Sequence, residues 1–338
     1  MEERIWTPWF IKFIHSRGYF NIYTNFQHER AFSVSHGDAG VTYGKTARPD
    51  SQLLDENSLD SNFLKMQPLS KMKWYDFCFR EVLAGRVVRN LDDLGAVLQS
   101  VQRKQIFRLV GLFGASEMFT RNLLCHFERL NIRNYIFMAS NSEFLFDLAS
   151  RGYPVIDADQ FLNTIGVYKS VGVQDSDARL IKNVLVKAYT IKKILDYGYN
   201  TWVVDGNMVL LREGLEIFCV NSSPYAHKIW NDDFVKNVPA LVNKILLPKE
   251  SKSFACIMTT LLKEKGFRVK SLNERRFGMR IGDLDFNQSS SEVSKTKNRV
   301  VYWSKDLGID VIQMQLQELS LWIIDEDSSC AALVCHSS

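Results

Sequence analysis

Between Ile106 and Val204 the chain alternates short apolar runs with longer amphipathic ones, and this alternation constrains the fold more than any other feature. Ile106-Phe-Arg-Leu-Val-Gly-Leu-Phe113 has the nearly continuous apolar character of a strand covered on both faces, and Gly114 closes it. Ser116 stands where a helix N-cap belongs, and helical spacing continues to about Leu130. Tyr135-Ile-Phe-Met138 is a second strand. Asn141 can cap a helix carrying Phe144, Leu145 and Leu148, ended by Gly152, and Pro154-Val-Ile156 is a third, short strand. After a polar stretch, Asp177 opens a long helix through Val184, Leu185, Ala188, Ile191 and Leu195 that stops at Gly198. Thr201-Trp-Val-Val204 is the fourth strand. Strand–helix alternation of this kind predicts an α/β fold, Rossmann-like, with a mostly parallel sheet flanked by helices and joined by right-handed crossovers. Open sheets of this type bind ligands beyond the carboxyl ends of their strands. The candidate site residues are therefore Gly114 and Ala115, Ser140 and Asn141, Asp157 and Asp159, and Asp205 with Asn207.

The flanks carry weaker patterns. Residues 1–70 are irregular but rich in aromatics such as Trp6, Trp9, Phe10 and Phe13, so they are expected to pack on a domain. Trp74, Phe77 and Cys78 have helical spacing, and Leu91, Leu94, Val97, Leu98 and Val101 form a second helical stripe. After Leu211, Trp230–Leu246 and Ser253–Lys265 are predicted helices. Ile217–Val220, Phe267–Leu272 and Val300–Trp303 are predicted strands. The expected organisation is an extension over 1–104, an α/β domain over 105–285 and a C-terminal segment over 286–338.

Composition narrows the function. With 338 residues, 46% of them hydrophobic and 24% charged, the chain can bury a sizeable core. Net charge is +4 and the basic residues form no stripe, so nucleic acid is not an expected partner. No run of about 18 apolar residues predicts a membrane span. The six cysteines include no C-x-x-C pair; Cys78, Cys125 and Cys256 sit in apolar helical patterns as small core residues, and Cys330 could pair with Cys335. No glycine-rich phosphate loop, nucleophile elbow or metal-spaced histidine cluster occurs, and His126 is a structural helix residue.

Asp205-Gly206-Asn207 lies between the apolar runs TWVV and MVLL. Asp-Gly is a strong hairpin signal. The same tripeptide is also a variant of an Asp-x-Asp pair, two oxygen ligands that can hold Mn²⁺ or Mg²⁺ on a diphosphate. Asp283-Leu-Asp285 is a literal Asp-x-Asp in a polar stretch and is expected to be a surface loop. Asp157 and Asp159 can cap the next segment, or meet ribose hydroxyls or a metal.

Lys187-Ala-Tyr-Thr-Ile-Lys-Lys-Ile-Leu-Asp-Tyr-Gly-Tyr-Asn-Thr-Trp-Val-Val-Asp-Gly-Asn-Met-Val-Leu-Leu211 resembles the plant nucleotide-diphospho-sugar transferases of glycosyltransferase family 77, as do Asn122-Leu-Leu-Cys-His126 and Arg151-Gly-Tyr-Pro-Val-Ile-Asp157. The resemblance covers roughly residues 106–280. It implies a GT-A-like fold, a UDP-sugar or related donor, a divalent metal, and retaining transfer to a glycan or glycoprotein acceptor in plant cell-wall or glycoprotein synthesis. It also implies a Golgi location, although the family's N-terminal membrane anchor is not seen in this sequence. By position, Asp205 is its first motif aspartate and a metal and catalytic residue, Asn207 the second metal ligand, and Lys187 a helix lysine near the donor. Gly114, Ala115, Ser140 and Asp157 complete the expected nucleotide-sugar site. Asn207 stands where the family has a carboxylate, so a catalytically weak relative acting as a binding or scaffold module is the alternative reading.

Overall fold

The computed structural model describes residues 9–10, 13–14, 17, 30–31, 52–53, 74–75, 81–82, 87–101, 106–140, 143–165, 175–211, 223–244, 254–266, 278–282, 300–304, 306–326 and 329–331. The chain divides into two compact units, Met1–Lys73 and Trp74–Ser338. In the first, the described residues include a two-residue parallel ladder, Arg30–Ala31 with Gln52–Leu53.

The second unit contains the expected alternation. Its elements are β1 (Val87–Val88), α1 (Leu91–Val101), β2 (Ile106–Gly111), α2 (Glu117–Arg129), β3 (Tyr135–Ala139), α3 (Glu143–Ser150), β4 (Val155–Asp157), α4 (Ala158–Ile165), α5 (Asp175–Asp196) and β5 (Asn200–Asp205). The five strands form one sheet in the order β1-β4-β3-β2-β5, and every neighbouring pair is parallel. Parallel strands are covered on both faces, which is why their sequences are apolar at nearly every position. Phe107, Leu109, Ile136, Met138 and Ile156 form one core with α1, α4 and α5. The alternate residues Val110, Leu112, Tyr135, Phe137, Val155, Trp202 and Val204 form another with α2 and α3. Helix α5 ends because Gly198 adopts φ +84°, where its N–H reaches Leu195 O at 2.8 Å and Tyr199 N–H reaches Ile194 O at 3.1 Å.

Taken from β2 onward, this winding reverses once. From β2 the chain steps outward through β3 to β4 with its helices on one face. It then returns across the other face and lays β5 on the opposite side of β2. The carboxyl ends of β2 and β5 therefore lie side by side, at the edge where open sheets of this kind bind ligands. The Rossmann-like reading holds at this level.

Beyond β5 come β6 (Met208–Leu210), α6 (Pro224–Ile229), α7 (Asp232–Lys244), α8 (Phe254–Glu264), β7 (Gly278–Arg280), β8 (Val300–Tyr302) and α9 (Ile309–Glu318). A second sheet has the order β6-β8-β7, with β8 antiparallel to β6 and parallel to β7. Val209, Ile281, Val301, Trp303, Ile312 and Leu316 gather there with Phe119 of α2 in a third core.

Several expectations are corrected. Trp74–Tyr75 is not helical but pairs antiparallel with Glu81–Val82; the two aromatics are good strand formers, and strand pairing outweighs the short helical spacing. Val87–Val88 is a fifth strand too short to announce itself, and the polar stretch after β4 begins with helix α4. Asp-Gly does not close a hairpin, because β5 and β6 belong to different sheets. Cys125 is not a free core residue: it is disulfide-bonded to Cys330, which is therefore unavailable to Cys335. Cys256 is an exposed cysteine on α8 rather than a core residue. Ile217–Val220, Phe267–Leu272, Asn141, Asp283 and Asp285 lie outside the described residues.

Candidate functional site

At the reversal, the last pair of the β2–β5 ladder sets Gly111 beside Asp205. Asp205 accepts a hydrogen bond on Oδ1 from Lys187 Nζ of α5 at 2.6 Å. Lys187 is buried, with 1% of its surface exposed. Gly111 is what allows this. A Cβ there would lie 2.6 Å from Lys187 Cε and 2.8 Å from Nζ, so any larger residue would displace the ammonium. The ring of Phe254 at the start of α8 lies 5.1 Å from Nζ and gives the cation a second favourable neighbour. A charge this deeply buried is tolerated only when paired. Asp205 is the charged partner shown, and its side chain keeps 28% exposure toward the sheet edge.

The turn after β5 is held just as tightly. Gly206 N–H donates to Gly111 O at 3.0 Å. A Cβ on Gly206 would lie 2.6 Å from the Ala115 methyl and 3.3 Å from Gly111 O. Gly206 is thus required for close approach, since its φ is not positive. Asn207 next continues the β6–β8 ladder one step past Met208↔Tyr302. Its Nδ2 donates to Trp303 O at 2.7 Å, and its own carbonyl accepts from Trp303 N–H at 3.1 Å. The side-chain amide must be a donor here, and a carboxylate would face a carbonyl oxygen.

The loop from β2 into α2 borders the same edge. Gly114 is exposed at φ +75° with open space where a Cβ would stand. Ser116 occupies the N-cap position with extended backbone, yet its hydroxyl makes no capping bond. The first N–H groups of α2 therefore lack the side-chain oxygen that Ser223 supplies to α6. An uncapped N-terminus after the first strand of a reversal is a favourable place for a phosphate.

The other candidates lie farther along the edge. Ser140 follows β3 and is half-buried. Asp157, fully buried, caps α4: its Oδ1 accepts from Asp159 N at 3.0 Å and Gln160 N at 3.1 Å, while Oδ2 has no hydrogen-bond partner. Asp159 pairs with Lys182 of α5. Burial lowers the Lys182 pKa, and the negative charge of Asp157 opposes that shift. Asp157 is two strands from Gly111, roughly 10 Å at ordinary strand spacing. The structure brings Ala115, Lys187, Asp205 and Asn207 together at the reversal and leaves Asp157 and Asp159 outside that group.

Helix α2 is clamped from behind. Leu321 O accepts from Asn122 Nδ2 at 3.0 Å and lies 2.8 Å from His126 Nε2; Ile323 N–H donates to Asn122 Oδ1 at 2.8 Å. The Cys125–Cys330 disulfide closes the same contact. Bonding to a carbonyl puts the His126 proton on Nε2, and Arg129 Nη2 lies 3.1 Å from Nδ1. Burial lowers the His126 pKa to about 4; the bond to Leu321 opposes this and the Arg129 charge adds to it. His126 is structural, as its place on a helix suggests.

Sequence reasoning passed over Gly111, Phe254 and Trp303. Gly111 alone carried a signal, a glycine inside an apolar strand, which marks a close approach. Phe254 and Trp303 are distant in sequence and meet the site only through folding.

The expected Mn²⁺ or Mg²⁺ can be tested against these residues. Such cations take several oxygen ligands, at least one or two of them charged. Asp205 has one oxygen on a buried ammonium, and Asn207 offers only a neutral amide oxygen. A dication and an ammonium about 5 Å apart repel by roughly 7 kcal/mol at an effective dielectric constant near 20. Among the described residues, no three His, Cys, Asp or Glu side chains are placed to hold a metal. The turn does not fit a resident divalent cation in the way two free carboxylates would.

No protein-family model matches the chain and no curated protein matches it. None of the helices described is long and apolar enough to cross a membrane.

Proposed function

We propose that the edge formed by the carboxyl ends of β2 and β5 binds a nucleotide-diphosphate sugar, and that the protein is a GT-A-like glycosyltransferase moving the sugar to a glycan or glycoprotein acceptor. One observation carries this reading. The uncapped N-terminus of α2, the open Gly114 turn and the Lys187–Asp205 pair converge where β5 lies beside β2 at the carboxyl end of the parallel sheet. In glycosyl transfer the bond from the anomeric carbon to the diphosphate breaks, and negative charge grows on the departing diphosphate. Oriented N–H groups stabilise such charge without reorganising, and the Lys187 ammonium offsets the Asp205 carboxylate that would oppose it. The Cys125–Cys330 disulfide supports an oxidising compartment, such as the Golgi lumen. Plant cell-wall or glycoprotein synthesis is the setting proposed, on the resemblance around Lys187–Leu211 and Arg151–Asp157.

A second reading has its own support. Asn207 is committed to the Trp303 backbone and Asp205 to Lys187, which favours a donor-binding module with weak or no turnover.

Calorimetric titration with UDP and a panel of UDP-sugars, beside an assay of slow donor hydrolysis, tests both readings. Ser116→Asp places a capping carboxylate at the N-terminus of α2, which keeps the helix and repels phosphate. Ser116→Asn caps without charge. UDP affinity should fall about tenfold or more in the first and change little in the second. Binding that ignores Ser116→Asp rules out the α2 end as the phosphate site. Binding without donor hydrolysis selects the module.

A further inference from the structure

Resting on the nucleotide-diphosphate reading of this sheet edge, we infer that Asp205-Gly206-Asn207 is a structural clasp and not a cation motif, so that the diphosphate is held there without a divalent metal. Each residue of the tripeptide has a separate structural task. Asp205 is the counter-ion of an ammonium that the fold has sealed between Gly111 and Phe254. Gly206 lets the turn lie against Ala115 and Gly111 O. Asn207 extends the β6–β8 ladder by donating its amide to Trp303 O and accepting Trp303 N–H.

The last of these explains the residue type. An aspartate at 207 has no hydrogen to donate and would set its charge against a carbonyl oxygen. The amide is therefore what the second sheet needs, independent of any metal. Charge points the same way: Lys187 cancels Asp205, and Asn207 adds nothing. A diphosphate approaching this edge meets a carboxylate already neutralised from within by a fixed ammonium. The ammonium thus takes the part a cation would have in neutralising this carboxylate.

The test titrates the full chain with UDP in excess EDTA and again in excess Mn²⁺, and titrates Mn²⁺ alone. UDP is expected to bind equally in both buffers, within about twofold, and Mn²⁺ alone to give no saturable heat. Asn207→Asp should lower the melting temperature and confer no Mn²⁺ dependence. UDP that binds about tenfold or more tightly with Mn²⁺ overturns the inference while leaving the nucleotide reading in place. An Asn207→Asp protein that melts like wild type and gains Mn²⁺-dependent binding also overturns it. UDP that binds in neither buffer removes the nucleotide reading, and the inference with it.

Discussion

The Lys187–Asp205 pair makes an asymmetric prediction about stability. The Lys187 side chain is 2% exposed and the Asp205 side chain 28%. Asp205→Asn leaves the ammonium sealed beside Phe254 without its carboxylate, a loss expected to cost about 3–5 kcal/mol. Lys187→Met instead leaves a carboxylate that already reaches solvent and can be hydrated. It also keeps most of the buried hydrocarbon volume, so its cost should be about 1 kcal/mol. The double variant Lys187→Met/Asp205→Asn contains neither charge. It should recover most of the Asp205→Asn loss, a coupling of about 3–5 kcal/mol. For a unit of this size each kcal/mol moves the melting temperature by about 2–4 °C, so Asp205→Asn should melt roughly 10 °C below wild type. Urea denaturation of the four proteins followed by tryptophan fluorescence completes the cycle. The reasoning fails if Lys187→Met costs as much as Asp205→Asn, or if the two losses simply add. There is a practical consequence. Loss of activity in Asp205→Ala reports a buried lysine deprived of this carboxylate as much as chemistry, whereas the double variant tests the carboxylate on a stable background.

Three further outcomes follow from neighbouring contacts. Gly206→Ala should cost about 1–3 kcal/mol by overpacking against Ala115, and Ala115→Gly in the same chain should restore most of it, read as paired thermal melts. The buried neutral His126 binds fewer protons folded than unfolded between its folded pKa of about 4 and the ordinary 6.5. Its contribution is therefore complete above pH 6.5, falls as pH drops through that window and levels off below about 4, a total of about 3 kcal/mol. His126→Gln should flatten that part of the wild-type pH–stability curve, and a histidine resonance titrating near pH 6.5 in the folded protein contradicts the assignment. Replacing Cys125 and Cys330 together by Ala should destabilise the protein by about 2–5 kcal/mol. Peptide mapping without reductant should recover those two cysteines joined, and recovery of a Cys330–Cys335 peptide would sink this pairing.

The main sheet was legible because its signals are local. A buried parallel strand must be apolar throughout, and a helix that covers it must repeat every three to four residues. Ile106–Gly111 and Asp175–Asp196 could therefore be found without a partner in view. Val87–Val88 could not, since two residues carry no period. Trp74 and Tyr75 had the wrong one, because pairing with Glu81–Val82 is a contact between segments. The candidate site divides in the same way. Gly114, Ala115 and Asp205 follow strands, and the rule that ligands gather at strand ends finds them from sequence alone.

The sequence by itself determined the alternation, and with it the parallel sheet and the edge where a ligand belongs, because hydrophobic period is written into consecutive residues. Tertiary structure alone decided what Asp205-Gly206-Asn207 means. Its partners are Lys187 on α5, Gly111 on β2, Ala115 before α2 and Trp303 after β8, up to 96 residues away. A tripeptide states which atoms are offered. Burial and the groups brought against those atoms decide whether they hold a cation, a cation's substitute or the next strand.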